Sequence, residues 1–287
     1  MGLGVSRTRR LRVAFQGEQG AFSQIAIQQL LGDSADVVPC THFEAVFQAL
    51  AGRRADAAVV PIENTLHGSV HENYDLLLRY KLPILAETNV RIVHNLIGPP
   101  GTGFHQVRRV YSHPVALNQC LEFFSQNTQL ERVSHYDTAG SVKMLAEQRP
   151  PGAAAIASKL AAKLYGCRIL RASIEDDRRN FTRFFLLRRP GNAARAKAPA
   201  ARGYKTSLVF TTRNIPGALF RALSAFALRD LNLAKIESRP LRGKPWEYLF
   251  YVDFLGHVDD PVVKNALGHL GELADLLRVL GCYPRSK

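Results

Sequence analysis

Asn180-Phe181-Thr182-Arg183-Phe184 sets an alcohol beside a guanidinium between two aromatic rings, near the end of an apolar stretch. An arginine can hold a carboxylate and a threonine can hand a proton to a departing oxygen, so the pair suits loss of an oxygen leaving group from an anionic substrate. In an extended backbone, Arg183 leaves on the face opposite Thr182. It therefore reaches substrate only through a bend, or supports the site from behind. Three more polar islands lie upstream at the ends of apolar runs: Pro61-Ile62-Glu63-Asn64-Thr65, Ser112-His113-Pro114 and Asn118-Gln119-Cys120. Asn64, Ser112 and Gln119 are neutral side chains suited to fixing hydroxyls and carboxylates without protonating them. Glu63 would repel an anion, so bracing its loop or orienting a donor suits it better. Taken alone, the pentapeptide is also an ordinary strand with one polar edge; the islands give it weight.

Short strands and helices alternate through most of the chain, which predicts a mostly parallel α/β arrangement. Strands are expected at 11–16, 36–38, 57–61, 84–97, 107–112, 132–136 and 153–157, with helices at 21–31, 43–51, 74–80, 115–125, 138–147 and 158–165. That count suits two lobes with a cleft between them, and ligands in such sheets sit beyond the carboxyl ends of strands. Gly17 and Gly20 bracket the first strand–helix turn, where free amides favour an anion, but their spacing is not a dinucleotide fingerprint. Residues 188–202 turn to Ala, Arg, Pro, Gly and Lys without period and read as a linker. Beyond it, strands at 205–212, 231–239, 246–255 and 278–283 with helices at 216–229 and 260–277 give the order βαββαβ, the ferredoxin-like arrangement. Trp246, Tyr248, Phe250, Val252 and Phe254 alternate on one face, and Asn214 is the expected cap of the helix that Pro216 opens.

At 287 residues, 46% hydrophobic and 22% charged, the composition is that of a globular chain of two domains. No apolar run approaches the roughly 18 to 20 residues of a bilayer span, and the basic stretch Met1–Arg10 has no apolar core behind it, so neither membrane nor secretory signal is expected. Cys40, Cys120, Cys167 and Cys282 are widely spaced, which fits a reducing compartment. His67 and His71 are spaced i, i+4 without a third ligand, so no metal is expected. The net charge of +14 is scattered, with a share at Arg7, Arg9, Arg10, Arg188, Arg189, Arg195, Lys197 and Arg202. No nucleic-acid motif accompanies it; attraction of a multiply charged acid is the functional alternative to a merely basic surface.

Gly17-x-x-Gly20-Ala21-Phe22-Ser23, Pro61-Ile62-Glu63-Asn64, Ser112-His113-Pro114, Gln119-Cys120 and Asn180-x-Thr182-Arg183-Phe184 follow one another in an order that resembles the prephenate dehydratases and the related arogenate dehydratases. Gly217-Ala218-Leu219 and Glu237-Ser238-Arg239-Pro240 resemble their C-terminal ACT domain, and Asn73–Arg79 and Lys235–Arg242 resemble the plant-type branch. Thr65 stands where the family often has serine, and Val115 where glutamine is common.

The resemblance implies a two-lobed catalytic domain like a periplasmic binding protein at 11–190, a linker at 191–204 and an ACT domain at 205–285. It implies conversion of prephenate to phenylpyruvate, water and carbon dioxide, or of arogenate to L-phenylalanine, without cofactor. Thr182 is then the proton donor, with Glu63, Asn64, Thr65, Ser112, Gln119 and Arg183 around the substrate. L-Phenylalanine would bind between two ACT domains at Asn214, Gly217, Ala218, Leu219, Glu237, Ser238, Arg239 and Pro240, in a homodimer or homotetramer. The expected compartment is the cytoplasm, or the plastid stroma for a processed chain.

Overall fold

A computed structural model describes residues 10–191, 203–241, 243 and 247–286. Trp246, most of the 191–204 linker, and the basic residues Arg7, Arg9, Arg195, Lys197 and Arg202 lie outside them. The chain packs as two compact units: residues up to Leu76 with Thr88–Leu186, and Leu77–Glu87 with the residues from Leu187 onward.

The chain opens with β1 (Arg12–Gln16), α1 (Phe22–Leu31), β2 (Asp36–Cys40), α2 (Phe43–Ala51) and β3 (Ala57–Asn64). A two-residue β4 (Gly68–Ser69), α3 (His71–Tyr80) and β5 (Ile84–Arg91) follow. β1 pairs in parallel with both β2 and β3, as an alternating strand–helix pattern requires. Val46, Phe47, Ala49 and Leu50 turn the apolar face of α2 inward, while Val13, Ala14 and Phe15 bury the middle of β1.

The second lobe of this unit begins at β6 (Asn95–Gly98) and runs through β7 (Arg109–Ser112), α4 (Pro114–Asn118), α5 (Leu121–Ser125), β8 (Glu131–Ser134), α6 (Thr138–Gln148) and β9 (Ala153–Ala157). It closes with α7 (Lys159–Leu164) and β10 (Arg168–Arg171), and β11 (Phe181–Leu187) returns to the first lobe. The sheet order is β10-β6-β9-β7-β8. β9 is buried along its whole length, and its four alanines let helices close over both faces. Asp137 caps α6 through the Gly140 N–H at 2.7 Å, and Ser158 caps α7 through the Ala161 N–H at 3.0 Å.

Two crossings join the lobes, one before β6 and one before β11. They are laced together by Ile92 N–H to Asn180 O at 2.8 Å and Ile174 N–H to His94 O at 2.9 Å. Glu175, buried at the same place, accepts from the His94 N–H and from Arg91 Nη2, each at 3.0 Å. The strand expected over 84–97 is broken here into β5 and β6, because the backbone must turn at Ile92–His94 to pass between lobes. The helix expected over 115–125 is likewise two short helices, interrupted at Gln119-Cys120.

In the second unit β12 (Tyr204–Thr212), α8 (Ala218–Ala227), β13 (Leu233–Pro240), β14 (Tyr248–Leu255), α9 (Pro261–Leu273) and β15 (Leu276–Pro284) form the βαββαβ arrangement. Its antiparallel strand order is β13-β14-β12-β15. Phe250, Val252 and Phe254 share a core with Phe226 of α8 and Leu270 of α9, as their alternation predicts. Glu87 belongs to this unit: its buried carboxylate pairs with Lys205 Nζ at 2.7 Å and accepts from the Ser286 N–H. Ile84 pairs with Gly281, where a Cβ would stand 2.3 Å from the Ile84 oxygen. Asn214 does not cap α8. Gly217 occupies the N-cap position at φ 74° with no side-chain cap, and the helix starts after Pro216 rather than on it.

Candidate active site

The first unit holds a cavity of about 550 Å³ between its lobes. Its wall collects strand and helix ends: Gln16 at the end of β1, Thr41 and His42 before α2, Asn64 at the end of β3, His113 after β7, and Asp137 and Thr138 at the start of α6. This is where a parallel sheet leaves unfilled space at the carboxyl ends of its strands. Phe22, Phe43, Val70, Ile92, Val115 and Ala116 supply apolar surface.

Thr182 lines this cavity from β11. Its Oγ1 lies 2.9 Å from Asn64 Nδ2, which can only donate, so the threonine oxygen is the acceptor. The hydroxyl hydrogen is thereby left for another acceptor. The same Asn64 amide reaches Asn180 Oδ1 at 2.8 Å and Phe181 O at 3.1 Å, while Asn64 Oδ1 accepts the Leu66 and His67 N–H groups at 3.0 Å. Asn64 thus fixes its own loop and the direction of the Thr182 hydroxyl together.

Gln119 also faces the cavity, held between His94 Nε2 at 2.7 Å and His67 Nδ1 at 3.1 Å. The other residues expected around the substrate, Glu63, Thr65, Ser112 and Arg183, do not line it. Arg183 leaves on the other face of β11, 3.9 Å from Glu63 and with its guanidinium over the Phe185 ring at 4.8 Å. Glu63 is the partner that braces it. Ser112 is wholly buried and donates to Ile156 O at 2.7 Å, a bond inside the second lobe. Thr65 donates to Arg179 O at 2.8 Å and accepts the Phe181 N–H at 2.9 Å, tying the end of β3 to the start of β11. Phe184 is core and Phe181 is partly exposed, and neither lines the cavity. The amide of Gly20, expected to be open to an anion, is taken by Gln24 Oε1 at 2.7 Å. Gly20 (φ 92°) lets the loop lie against α7, where a Cβ would come within 2.6 Å of the Ala161 backbone.

Burial lowers the pKa of His94 and His113, keeping both imidazoles neutral. Burial also raises the Asp137 carboxyl, against the pull of the amides it accepts from. Tyr136 is pushed up to about 12, first by burial and then by Glu18, whose carboxylate accepts from its hydroxyl at 3.1 Å. No sequence signal places His42, His67, His94 or Asp137 on this wall. His67 stands out in the sequence only by its spacing to His71, and His94 sits inside what reads as one strand.

In the second unit a cavity of about 130 Å³ is lined by Asn214, Ala218 and Leu219 with Tyr248 and Phe250. Gly217 immediately precedes its helical wall, whereas Glu237, Ser238, Arg239 and Pro240 lie on β13 beside it. Ser238 pairs with Phe250 and Pro240 with Tyr248.

Residues 13–192 match the family model described as prephenate dehydratase, and residues 206–280 match that of the ACT domain. The chain is 45% identical to "Arogenate dehydratase/prephenate dehydratase 2, chloroplastic" of Arabidopsis thaliana, over 98% of this chain and 74% of that protein. Among solved structures it is similar to a prephenate dehydratase from Arthrobacter aurescens in complex with L-Phe, at TM-score 0.87 and 34% identity, covering 96% of this chain and 90% of that one. It is also similar to GqqA, described as a novel type of quorum quenching acylase, at TM-score 0.86 and 36% identity, covering 96% and 98%.

Proposed function

The chain belongs to the prephenate dehydratase family, and from that premise we propose that it catalyses the decarboxylating dehydration of prephenate to phenylpyruvate, with arogenate to L-phenylalanine as the alternative. The observation that carries the reading is the Thr182 hydroxyl on the cavity wall, its oxygen committed to Asn64 and its hydrogen free. In the reaction the ring hydroxyl takes that proton and leaves as water, and Thr182 recovers a proton from solvent before the next turnover. The bond from the ring to its carboxylate breaks, carbon dioxide departs, and the electron pair completes the aromatic ring. Aromatisation supplies the driving force, so the site has only to orient the substrate, assist the leaving oxygen and keep bulk water away. Asn64 and Gln119 position; Arg183, Glu63, Thr65 and Ser112 hold the elements that carry the donor and the wall. Closure of the lobes about the laced crossings shields the cleft.

The second unit acts as the regulatory domain, binding L-phenylalanine in the cavity at Asn214, Ala218 and Leu219 with Gly217 and Glu237–Pro240 at its border, between two ACT domains of a homodimer or homotetramer. The L-Phe complex of the Arthrobacter protein supports the effector. We assign catalysis to 11–190, the linker to 191–204 and regulation to 205–285, in keeping with the spans of the two family models. Four free cysteines suit a reducing compartment, the cytoplasm; the chloroplastic Arabidopsis relative supports the plastid stroma as the alternative.

Turnover of prephenate and arogenate, measured side by side with and without L-phenylalanine, tests the reading. Thr182→Ala is expected to lower kcat by about 10² to 10⁴. A folded Thr182→Ala protein with near-normal turnover removes Thr182 from the mechanism. A wild type inert to both substrates removes the dehydratase reading.

A further inference from the structure

The cavity must take a carboxylated substrate, yet among the described residues no lysine or arginine lines it. Its wall carries His42, His67, His94 and His113 instead. Two of these are joined through Gln119 into one hydrogen-bonded chain. His94 Nε2 lies 2.7 Å from Gln119 Oε1, and Gln119 Nε2 lies 3.1 Å from His67 Nδ1. His94 is 2% exposed, and its Nδ1 has no partner. A buried acceptor without a partner is tolerated better than an orphaned N–H. The proton of His94 therefore belongs on Nε2, where it is donated to Gln119 Oε1. That orientation turns the Gln119 NH₂ toward His67, whose Nδ1 must accept. Asn64 Oδ1, 3.4 Å from the same Nδ1, is already occupied by two backbone N–H groups. With Nδ1 accepting, the His67 ring carries a proton on Nε2, the nitrogen to which no hydrogen bond is directed among the described residues.

We infer that His67 is a further substrate-binding residue, its Nε2–H donating to a carboxylate oxygen of the substrate in the cleft. The inference rests on the dehydratase reading, because both candidate substrates carry carboxylates. Its location suits the role. His67 stands on the same turn as Asn64, whose amide aims the Thr182 hydroxyl, so one loop grips the substrate and orients its proton donor. The burial that keeps His94 neutral also keeps the chain of donors pointing one way.

The test compares wild type, His67→Phe and His67→Gln in steady-state turnover of prephenate and arogenate, alongside nitrogen-15 spectra of histidine-labelled protein. His67→Phe is expected to raise KM about tenfold or more while kcat stays within about threefold, the loss of one hydrogen bond to a charged group. His67→Gln keeps a side-chain N–H and is expected to hold KM within about threefold of wild type. The imidazole signal that disappears in His67→Gln should be the tautomer protonated at Nε2. Unchanged KM in His67→Phe overturns the inference, as does a loss confined to kcat. A His67 protonated at Nδ1 overturns it whatever the rates. A wild type inert to both substrates removes the dehydratase reading and this inference together; an active wild type with an unaffected His67→Phe removes the inference alone.

Discussion

Asn64→Asp replaces the donor that fixes Thr182 with an acceptor of nearly the same shape. In the native site Asn64 Nδ2 donates to Thr182 Oγ1 at 2.9 Å, so the threonine hydrogen points elsewhere. A carboxylate at that position reverses the bond: the threonine donates to it, and the proton meant for the leaving oxygen is sequestered. Loss of one aimed donor at a reacting oxygen costs about 2.7 to 4 kcal/mol, or about 10² to 10³ in kcat. The fold should survive, because a carboxylate still accepts the Leu66 and His67 N–H groups. Asn180, whose buried Nδ2 has no partner, can rotate its amide to donate to the new carboxylate. A destabilisation of about 1 kcal/mol is therefore expected, within the usual range for one exchanged hydrogen bond. The assay follows phenylpyruvate formation from prephenate for Asn64→Asp, Thr182→Val and the double variant, with urea midpoints as the fold control. Because both changes disable the same hydroxyl, the double variant should be no slower than Thr182→Val alone. A kcat for Asn64→Asp within about threefold of wild type, or losses that multiply in the double variant, refutes the idea that Asn64 acts through Thr182.

Ser112→Ala should leave KM and kcat within about twofold and lower stability by about 1 to 3 kcal/mol, since its hydroxyl serves the buried Ile156 carbonyl; a rise in KM at unchanged stability would return Ser112 to the substrate site. Lys205→Met removes the ammonium that pairs with the buried Glu87 carboxylate and should cost about 1.5 to 3 kcal/mol, the loss of one hydrogen bond to a charged group, whereas Lys205→Met with Glu87→Leu should recover part of it; denaturant midpoints of the singles and the double decide. His94 has a depressed pKa in the folded protein, so its contribution is fully present above the ordinary histidine value of about 6.5 and fades as pH falls below it, by up to about 1.4 kcal/mol per pH unit. His94→Gln should flatten the acid limb of the stability–pH curve by about one proton, and an unchanged slope would mean that His94 charges freely in the native state.

The alternation of the first unit is legible because each strand is a short apolar run stopped by glycine, proline or a polar island, and each long helix has an inward stripe such as that of α2. What escapes such reading is direction. Thr182 and Arg183 are adjacent in the pentapeptide, and an extended backbone already sends them to opposite faces, but which face meets the cavity and which meets Phe185 shows only once β11 is placed. Ser112 ends its strand as expected, but β9 alongside supplies a carbonyl that claims its hydroxyl. The 84–97 stretch reads as one strand because no glycine or proline marks the bend; the partner that holds the turned backbone there, Glu175 on the His94 amide, lies far along the chain. β10 goes unseen because half of its short sequence is arginine. Asn64 and Gln119 were recoverable since strand and helix ends are where such sheets leave space.

Leu77–Glu87 lies early in the sequence but packs with the last hundred residues, Ile84 against Gly281 and Glu87 against Lys205. A protein cut within the 191–204 stretch would therefore not yield two self-sufficient halves. The front fragment would expose a carboxylate shaped for an ammonium no longer there, and the back fragment would show water the flank that Ile84 had covered. Gain or loss of the tail across relatives should thus go hand in hand with substitutions at 84 and 87, and a tail-less version engineered without them is expected to precipitate.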